Sequence, residues 1–216
     1  MPSKAGKIFR DSFLFHWYKN VSAPLEYAWW RMRGSPAGKI PHWVKQRAIR
    51  DTARAFGLRA LVETGTNYAH MIRVQRRRFR EIYSIEIDAA KAEGARKKFA
   101  RFPAVHILQG DSGEILPRLL PELREPCLFW LDGHDFDRAT PVERELAALF
   151  AHPGQNHVVL IDDAKWFNGH GGYPTLGSLR QRVARDYIGH TLDVHDEIIR
   201  IFPEPSLSKL QSSPDR

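Results

Sequence analysis

Cysteine is almost missing from this 216-residue chain, in which Cys127 stands alone. An internal disulfide and a cysteine zinc cluster are both excluded by that count. Cys127 lies in the apolar run Cys127-Leu-Phe-Trp-Leu131 and reads as a small buried hydrophobe in a reduced, cytoplasmic protein. No apolar run reaches the roughly 18–20 residues that a membrane-spanning helix needs. The first residues mix Arg10, Asp11 and His16 with apolar ones and lack a small-residue cleavage site, so they do not read as a signal peptide. Glycine is sparse where a dinucleotide would demand it. Gly65 is isolated after a short apolar strand, and no G-x-G-x-x-G can be written there. A pyrophosphate needs several glycines for close backbone approach, whereas a ribose without phosphate does not.

Acidic residues are scarce at one end only. Residues 1–59 hold twelve Lys and Arg against three Asp and Glu, while the rest of the chain is nearly neutral under a net charge of +8. That leader also carries four of the six tryptophans, Trp17, Trp29, Trp30 and Trp43. Residues 8–18 are apolar on nearly every side, and a helix of that kind must bury itself against something. Pro24, Gly34, Pro36, Gly38 and Pro41 break the leader into short pieces. From His42 to Phe56, Val44, Ala48, Ile49, Ala53 and Phe56 fall at helical spacing, with Lys45, Arg47, Arg50 and Arg54 placed on the surface; Gly57 stops that helix.

Beyond it, strands alternate with helices. Strands are expected near 60–64, 82–87, 104–109, 127–132 and 157–162, and helices near 68–79, 89–101, 113–122 and 141–151. Such alternation implies a parallel, doubly wound α/β sheet with helices on both faces. The end differs, because helix 175–188 precedes two strands, Thr191–His195 and Ile198–Phe202, joined by a tight turn. The organisation is therefore a basic, aromatic extension over 1–41, an α/β domain over 42–203 and a tail over 204–216. The tail is rich in proline, serine and charge and is expected to be disordered.

In Val62-Glu-Thr-Gly-Thr-Asn-Tyr-Ala-His-Met71 an apolar strand runs into an acid and a glycine turn, and Glu86 follows Glu63 by 23 residues at the end of the next strand. An acid at that distance suits ribose hydroxyls. These residues resemble the class I S-adenosylmethionine (SAM)-dependent methyltransferases, whose first motif reads roughly E-x-G-x-x-x-G, over about residues 59–202. Here the last glycine is Ala69. The resemblance implies a Rossmann-like, mostly parallel seven-stranded sheet closed by an antiparallel pair. It also implies cofactor contacts from Glu63, Gly65, Thr66, Asn67, Tyr68, Glu86, Ile87, Asp111, Ser112 and Asp132. The third strand runs into Gln109-Gly-Asp-Ser112, where Asp111 or Ser112 would equally cap the following helix.

Every central strand ends in an acid: Glu63, Glu86, Asp111, Asp132 and the pair Asp162-Asp163. In open parallel sheets the ligand sits beyond those ends, and clustered carboxylates repel unless they bind something. Asp132, Asp162 and Asp163 resemble the metal set of catechol-type and macrolide-sugar-type O-methyltransferases, which implies Mg²⁺ as a second cofactor. Alternatively, one aspartate caps a helix and another binds a backbone amide. A metal would lower the pKa of an acceptor hydroxyl, with His134, which could equally be bonded to a loop carbonyl, placed to take the proton and Asp132 as a further catalytic candidate. Asp135 and His170 are weaker candidates. The loop Lys165–Pro174 offers Trp166, Phe167 and Tyr173, either to stack on an acceptor ring or to pack the loop against the body.

More narrowly, the run His42–Gly57 with VETGT, SIEI, QGDSGEILP, FWLDGH and LIDDA resembles a bacterial methyltransferase-like family of undefined substrate. The loop after Asp132-Gly-His134 is shortened here to Asp135–Pro141. The leading expectation is an O-methyltransferase acting on a small-molecule acceptor. The second is a nucleic-acid (RNA) methyltransferase or binder, since the leader interleaves basic and aromatic residues and Arg76–Arg80 is strongly basic. Against it, no Asn/Asp-Pro-Pro-aromatic motif is present. A third treats the leader as a homodimerisation or membrane-surface element. A non-catalytic cofactor binder remains because of Ala69.

Overall fold

Five short apolar runs become parallel strands because the residues after each one carry helix signals that return the chain across the sheet. The computed structural model describes residues 25–26, 28–30, 32–33, 40–133, 140–152 and 156–204. Helix α1 spans His42–Phe56, then follow β1 Ala60–Thr64, α2 His70–Gln75, β2 Glu81–Glu86, α3 Ala89–Phe99 and β3 Val105–Gln109. Next come α4 Ser112–Leu119, β4 Cys127–Leu131, α5 Val142–Phe150, β5 Val158–Ile161, α6 Leu176–Asp186, β6 His190–His195 and β7 Ile198–Pro203. The seven strands lie in the order β3-β2-β1-β4-β5-β7-β6. Only β7 runs against its neighbours, pairing antiparallel with β5 and β6. The expected α/β class and the closing antiparallel pair are both formed.

Local chemistry sets the boundaries. Gly57 ends α1 in the left-handed region at φ 67°, with its N–H donating to the carbonyls of Ala53 and Arg54. Asp88 caps α3 by accepting from the N–H groups of Ala90 and Lys91. Thr175 caps α6 through the Ser178 N–H. Helix α2 is much shorter than the 68–79 expected. Asn67 and Ala69 take left-handed φ values of 47° and 58°, so the helix cannot begin before His70. Pro117 lies inside α4, and Pro121 opens a separate 3-10 turn at Leu120–Glu122, so the helix expected over 113–122 divides in two.

Two apolar layers hold the sheet, one on each face. Leu61, Ile82, Leu128, Trp130 and Leu160 pack on Ile49 and Ala53 of α1, Ile72 of α2 and Phe99 of α3. Val62, Ile85, Phe129, Leu131, Val159 and Ile161 pack on Leu116 of α4, Leu146 of α5 and Val183 of α6. Cys127 is fully buried and unpaired as a disulfide, and burial pushes its thiol up to about 12. No described helix is long and apolar enough to cross a membrane. Nearly all of the extension and of the tail lies outside the described residues, as does His134.

Candidate functional site

Parallel strands in register bring their carboxyl ends to one edge of the sheet, where a cleft of about 560 Å³ opens. That volume suits a drug-sized ligand or a nucleoside. Its lining includes Lys45, Gly65, Asn67, Glu86, Ile87, Asp111, Ser112, Asp132, Arg144 and Asp163. Most of the expected site residues are thus together, but not all of them reach the cleft.

The turn after β1 is pinned to β2. The N–H groups of Gly65 and Thr66 both donate to the Ile85 carbonyl, at 2.9 and 3.3 Å. Gly65 needs to be glycine twice over. Its φ is +84°, and an added Cβ would lie 2.6 Å from the Asp132 carbonyl oxygen. Glu63 and Thr66 lie beneath the turn rather than along the cleft. The Ser84 hydroxyl donates to Glu63 Oε2 at 2.7 Å and lies 2.6 Å from Thr66 Oγ1. Burial, despite that hydrogen bond, raises the Glu63 carboxyl to about 8, with Glu86 adding to the effect. Tyr68 also stays off the cleft wall, its carbonyl accepting from Lys98 Nζ at 3.1 Å.

Glu86 is braced from both sides. Its Oε2 accepts from the Asn67 N–H at 2.7 Å and its Oε1 from the Asp88 N–H at 3.0 Å. Each carboxylate oxygen keeps a further lone pair, so the group can still accept from hydroxyls in the cleft. Beside it Ile87 exposes 39 % of its surface, an apolar wall at the same edge.

Asp111 combines the two roles that the sequence leaves open. Its Oδ1 caps α4 through the Gly113 N–H at 2.8 Å, and its Oδ2 meets the Arg144 guanidinium at 2.9 Å, all at the cleft wall. Ser112 donates to Glu145 Oε1 at 2.5 Å. Burial raises the Glu145 carboxyl to about 7. Arg144 and Glu145 are not singled out by the sequence reading. A signal for Glu145 was present, because it shares the apolar stripe Val142, Leu146 and Leu149 of α5.

At the far end, Asp132 and Asp162 face each other beyond β4 and β5. Burial pushes the Asp132 carboxyl well above its ordinary range, the Asp162 charge adds to this, and Lys45 opposes it. The two carboxyls share a hydrogen bond. Asp162 Oδ2 is bonded to the Lys45 ammonium, and its Oδ1 accepts from the Asp163 N–H at 2.9 Å. Asp163 adopts a left-handed φ of 53° and turns its Oδ1 to Lys165 Nζ at 3.0 Å. Burial alone would lower the Lys45 ammonium, but Asp162, Asp132 and Asp163 together raise it.

Lys45 is the principal correction to the sequence reading, which left it on the surface of α1. Positions 45, 49 and 52 form one helical stripe, and Ile49 and Thr52 are buried. The lysine therefore stands on the flank of the buried face and reaches the strand ends. The consequence for Mg²⁺ is direct. Asp162 and Asp163 are each turned to an ammonium, and among the described residues no three His, Cys, Asp or Glu side chains gather around a common metal position. The set expected for Mg²⁺ does not fit a divalent ion while Lys45 holds Asp162.

The loop after β5 packs largely against the body. Phe167 is buried and Tyr173 meets it edge-on at 5.3 Å, while Trp166 keeps 40 % of its surface exposed. His170 is exposed, and its N–H donates to Asn168 Oδ1 at 3.0 Å. Asp135 lies outside the described residues with His134.

No protein-family profile matches the chain, and no curated protein resembles it in sequence. Solved structures do resemble it in fold. The O-methyltransferase TomG from Streptomyces achromogenes, in complex with SAM, superposes with a TM-score of 0.57 at 16 % identity over 74 % of this chain and 79 % of that one. The 23S rRNA methyltransferase ErmE gives 0.51 at 16 % over 74 % and 68 %. MycE methyltransferase of the mycinamycin pathway, with Mg, S-adenosylhomocysteine (SAH) and mycinamycin VI, gives 0.51 at 19 % over 82 % and 51 %. The fold is that of the class I SAM-dependent methyltransferases, and it is common to enzymes with very different acceptors.

Proposed function

We propose that this chain is a SAM-dependent methyltransferase that methylates a hydroxyl of a small molecule. The observation that carries the reading is the composition of one cleft. A glycine turn admits a ligand, Glu86 is held by two backbone N–H groups to meet ribose hydroxyls, and Asp132 stands at the other end. SAM supplies a methyl group on a sulfonium. When bound, it would pass that methyl to the acceptor oxygen and leave as a thioether, and Asp132 in its ionised form would take the hydroxyl proton. Positioning of the two reactants supplies much of the rate. His134, the base expected from sequence, lies outside the described residues. Magnesium assistance, suggested by the acid set and by the Mg in MycE, fits poorly beside Lys45 and carries no step here.

A nucleic-acid acceptor is the second reading, and ErmE shares the fold. The basic run Arg76–Arg80 does not favour it. Arg80 donates its N–H to the Arg59 carbonyl just before β2 and β1 begin, at the opposite end of the sheet from the cleft. Strands of this length separate the two ends by roughly 15–20 Å. An RNA held on those arginines would not reach Asp132 directly.

Calorimetry with SAH tests the cofactor reading. Binding to the native chain and its loss in Glu86→Ala are expected, whereas absence of binding to the native chain overturns it. Salt-dependent RNA binding that persists after removal of Arg76–Arg80 charges would revive the second reading.

A further inference from the structure

We propose that the Lys45 ammonium is a resident cation at the acceptor end of the cleft, filling the charge-balancing place of a divalent metal, so that this site works without one. The proposal rests on the methyltransferase reading for its meaning but on geometry for its content. Lys45 reaches from α1 to Asp162 at the end of β5, and its side chain is only 19 % exposed. Lys45 lines the cleft together with Asp132 and Asp163. At this end Asp162 faces the Lys45 ammonium and Asp163 that of Lys165, so the charge of both is already balanced by the chain itself. A divalent ion entering here would meet a tethered positive charge bonded to one of its own prospective ligands. Expelling it would cost both the ion pair and the repulsion of like charges in a poorly hydrated site.

The substrate class follows from this. A divalent ion chelates two neighbouring acceptor oxygens, whereas an ammonium donates single hydrogen bonds without a coordination geometry. The acceptor of this chain therefore needs one hydroxyl, not a catechol or a vicinal diol. Lys45 Nζ donates to that oxygen, or to an anionic group next to it, as Asp132 takes the proton.

The test compares the native chain with Lys45→Ala and Lys45→Arg in metal titrations, using Mn²⁺ followed by electron paramagnetic resonance and Mg²⁺ followed by melting temperature. The native chain and Lys45→Arg are expected to bind Mn²⁺ weakly and to melt at the same temperature with or without millimolar Mg²⁺. Lys45→Ala, with its carboxylates unbalanced, is expected to bind Mn²⁺ at least about tenfold more tightly and to regain melting temperature on adding Mg²⁺. Tight Mn²⁺ binding by the native chain, abolished in Asp162→Asn, overturns the proposal. It is overturned equally if Lys45→Ala gains no affinity for either metal. If Lys45→Ala does not fold, the native titration with its Asp162→Asn control still decides. SAH calorimetry on the same native sample is separate: its failure removes the methyltransferase reading and leaves the metal result standing.

Discussion

Gly65 and Asp132 are packed so closely that a single methyl group cannot be placed between them: a Cβ on Gly65 would stand 2.6 Å from the Asp132 carbonyl oxygen. The contact ties the turn after β1 to the end of β4, the two elements that frame the middle of the cleft. Gly65→Ala is expected to lose more than about 2 kcal/mol from this clash and from its positive φ, and to lose SAH binding. Urea unfolding and calorimetry on the same preparation check both.

Ala69 stands, in the turn after β1, where the motif that this turn resembles has its last glycine, and it keeps a glycine-like conformation, at φ 58° with 1 % exposure. Restoring glycine removes left-handed strain but also a buried methyl and some unfolded-chain restriction, so Ala69→Gly is expected to change stability by no more than about 1 kcal/mol. Ala69→Val puts a β-branched side chain into that conformation and is expected to cost about 3 kcal/mol or more. Chemical denaturation of both variants is the measurement.

Glu63 carries a proton in the folded chain at neutral pH, because its carboxyl is raised from 4.5 to about 8. The folded state holds that proton more tightly than the unfolded state. Its contribution to stability is fully present below pH 4.5 and is lost as pH rises to about 8. Glu63→Gln keeps an acceptor for the Ser84 hydroxyl without titrating. The variant is expected to gain on the native chain across that window, by something on the order of 3–5 kcal/mol at its alkaline end. Unfolding free energies measured at several pH values decide it.

His157 gives the opposite slope. It is fully buried, its Nδ1 accepts from the Cys127 N–H at 3.0 Å, and burial lowers it from 6.5 to about 4. The unfolded chain binds the proton first, so this stability is present above pH 6.5 and is lost as pH falls to about 4. The loss is expected to be on the order of 3 kcal/mol. His157→Asn, which keeps a short acceptor, is expected to be less stable at pH 7 and to show a flatter acid limb in thermal melts.

The strand ends were legible in sequence because each is a local event, an apolar run closed by an acid. Glu86, Asp111 and Asp132 follow from that alone and do line the cleft. Glu63 follows the same rule and is buried below the turn, since Ser84 on the neighbouring strand captures it. That capture depends on cross-strand register, pairing Glu63 with Ser84, which no local pattern states. Lys45 was missed for a different reason. A lysine beside an apolar stripe is ordinarily solvated, and only the packing of α1 over β4 and β5 supplies the carboxylate that holds it. The shortened α2 was hidden likewise, because alanine gives no sequence sign of a left-handed residue.

The place of β7 has a consequence for how the chain is made. Residues 198–203 slide between β5 and β6 rather than adding at an edge, and Ile199 and Ile201 complete the layer on which β5 rests. During synthesis, one flank of β5, the strand that ends in Asp162, has no partner until this late segment has left the ribosome. The Lys45–Asp162 pair can then form on a finished sheet only after nearly every other element exists. A chain assembled in that order completes the β5 end of its cleft last, long after the turn that follows β1 has its neighbours.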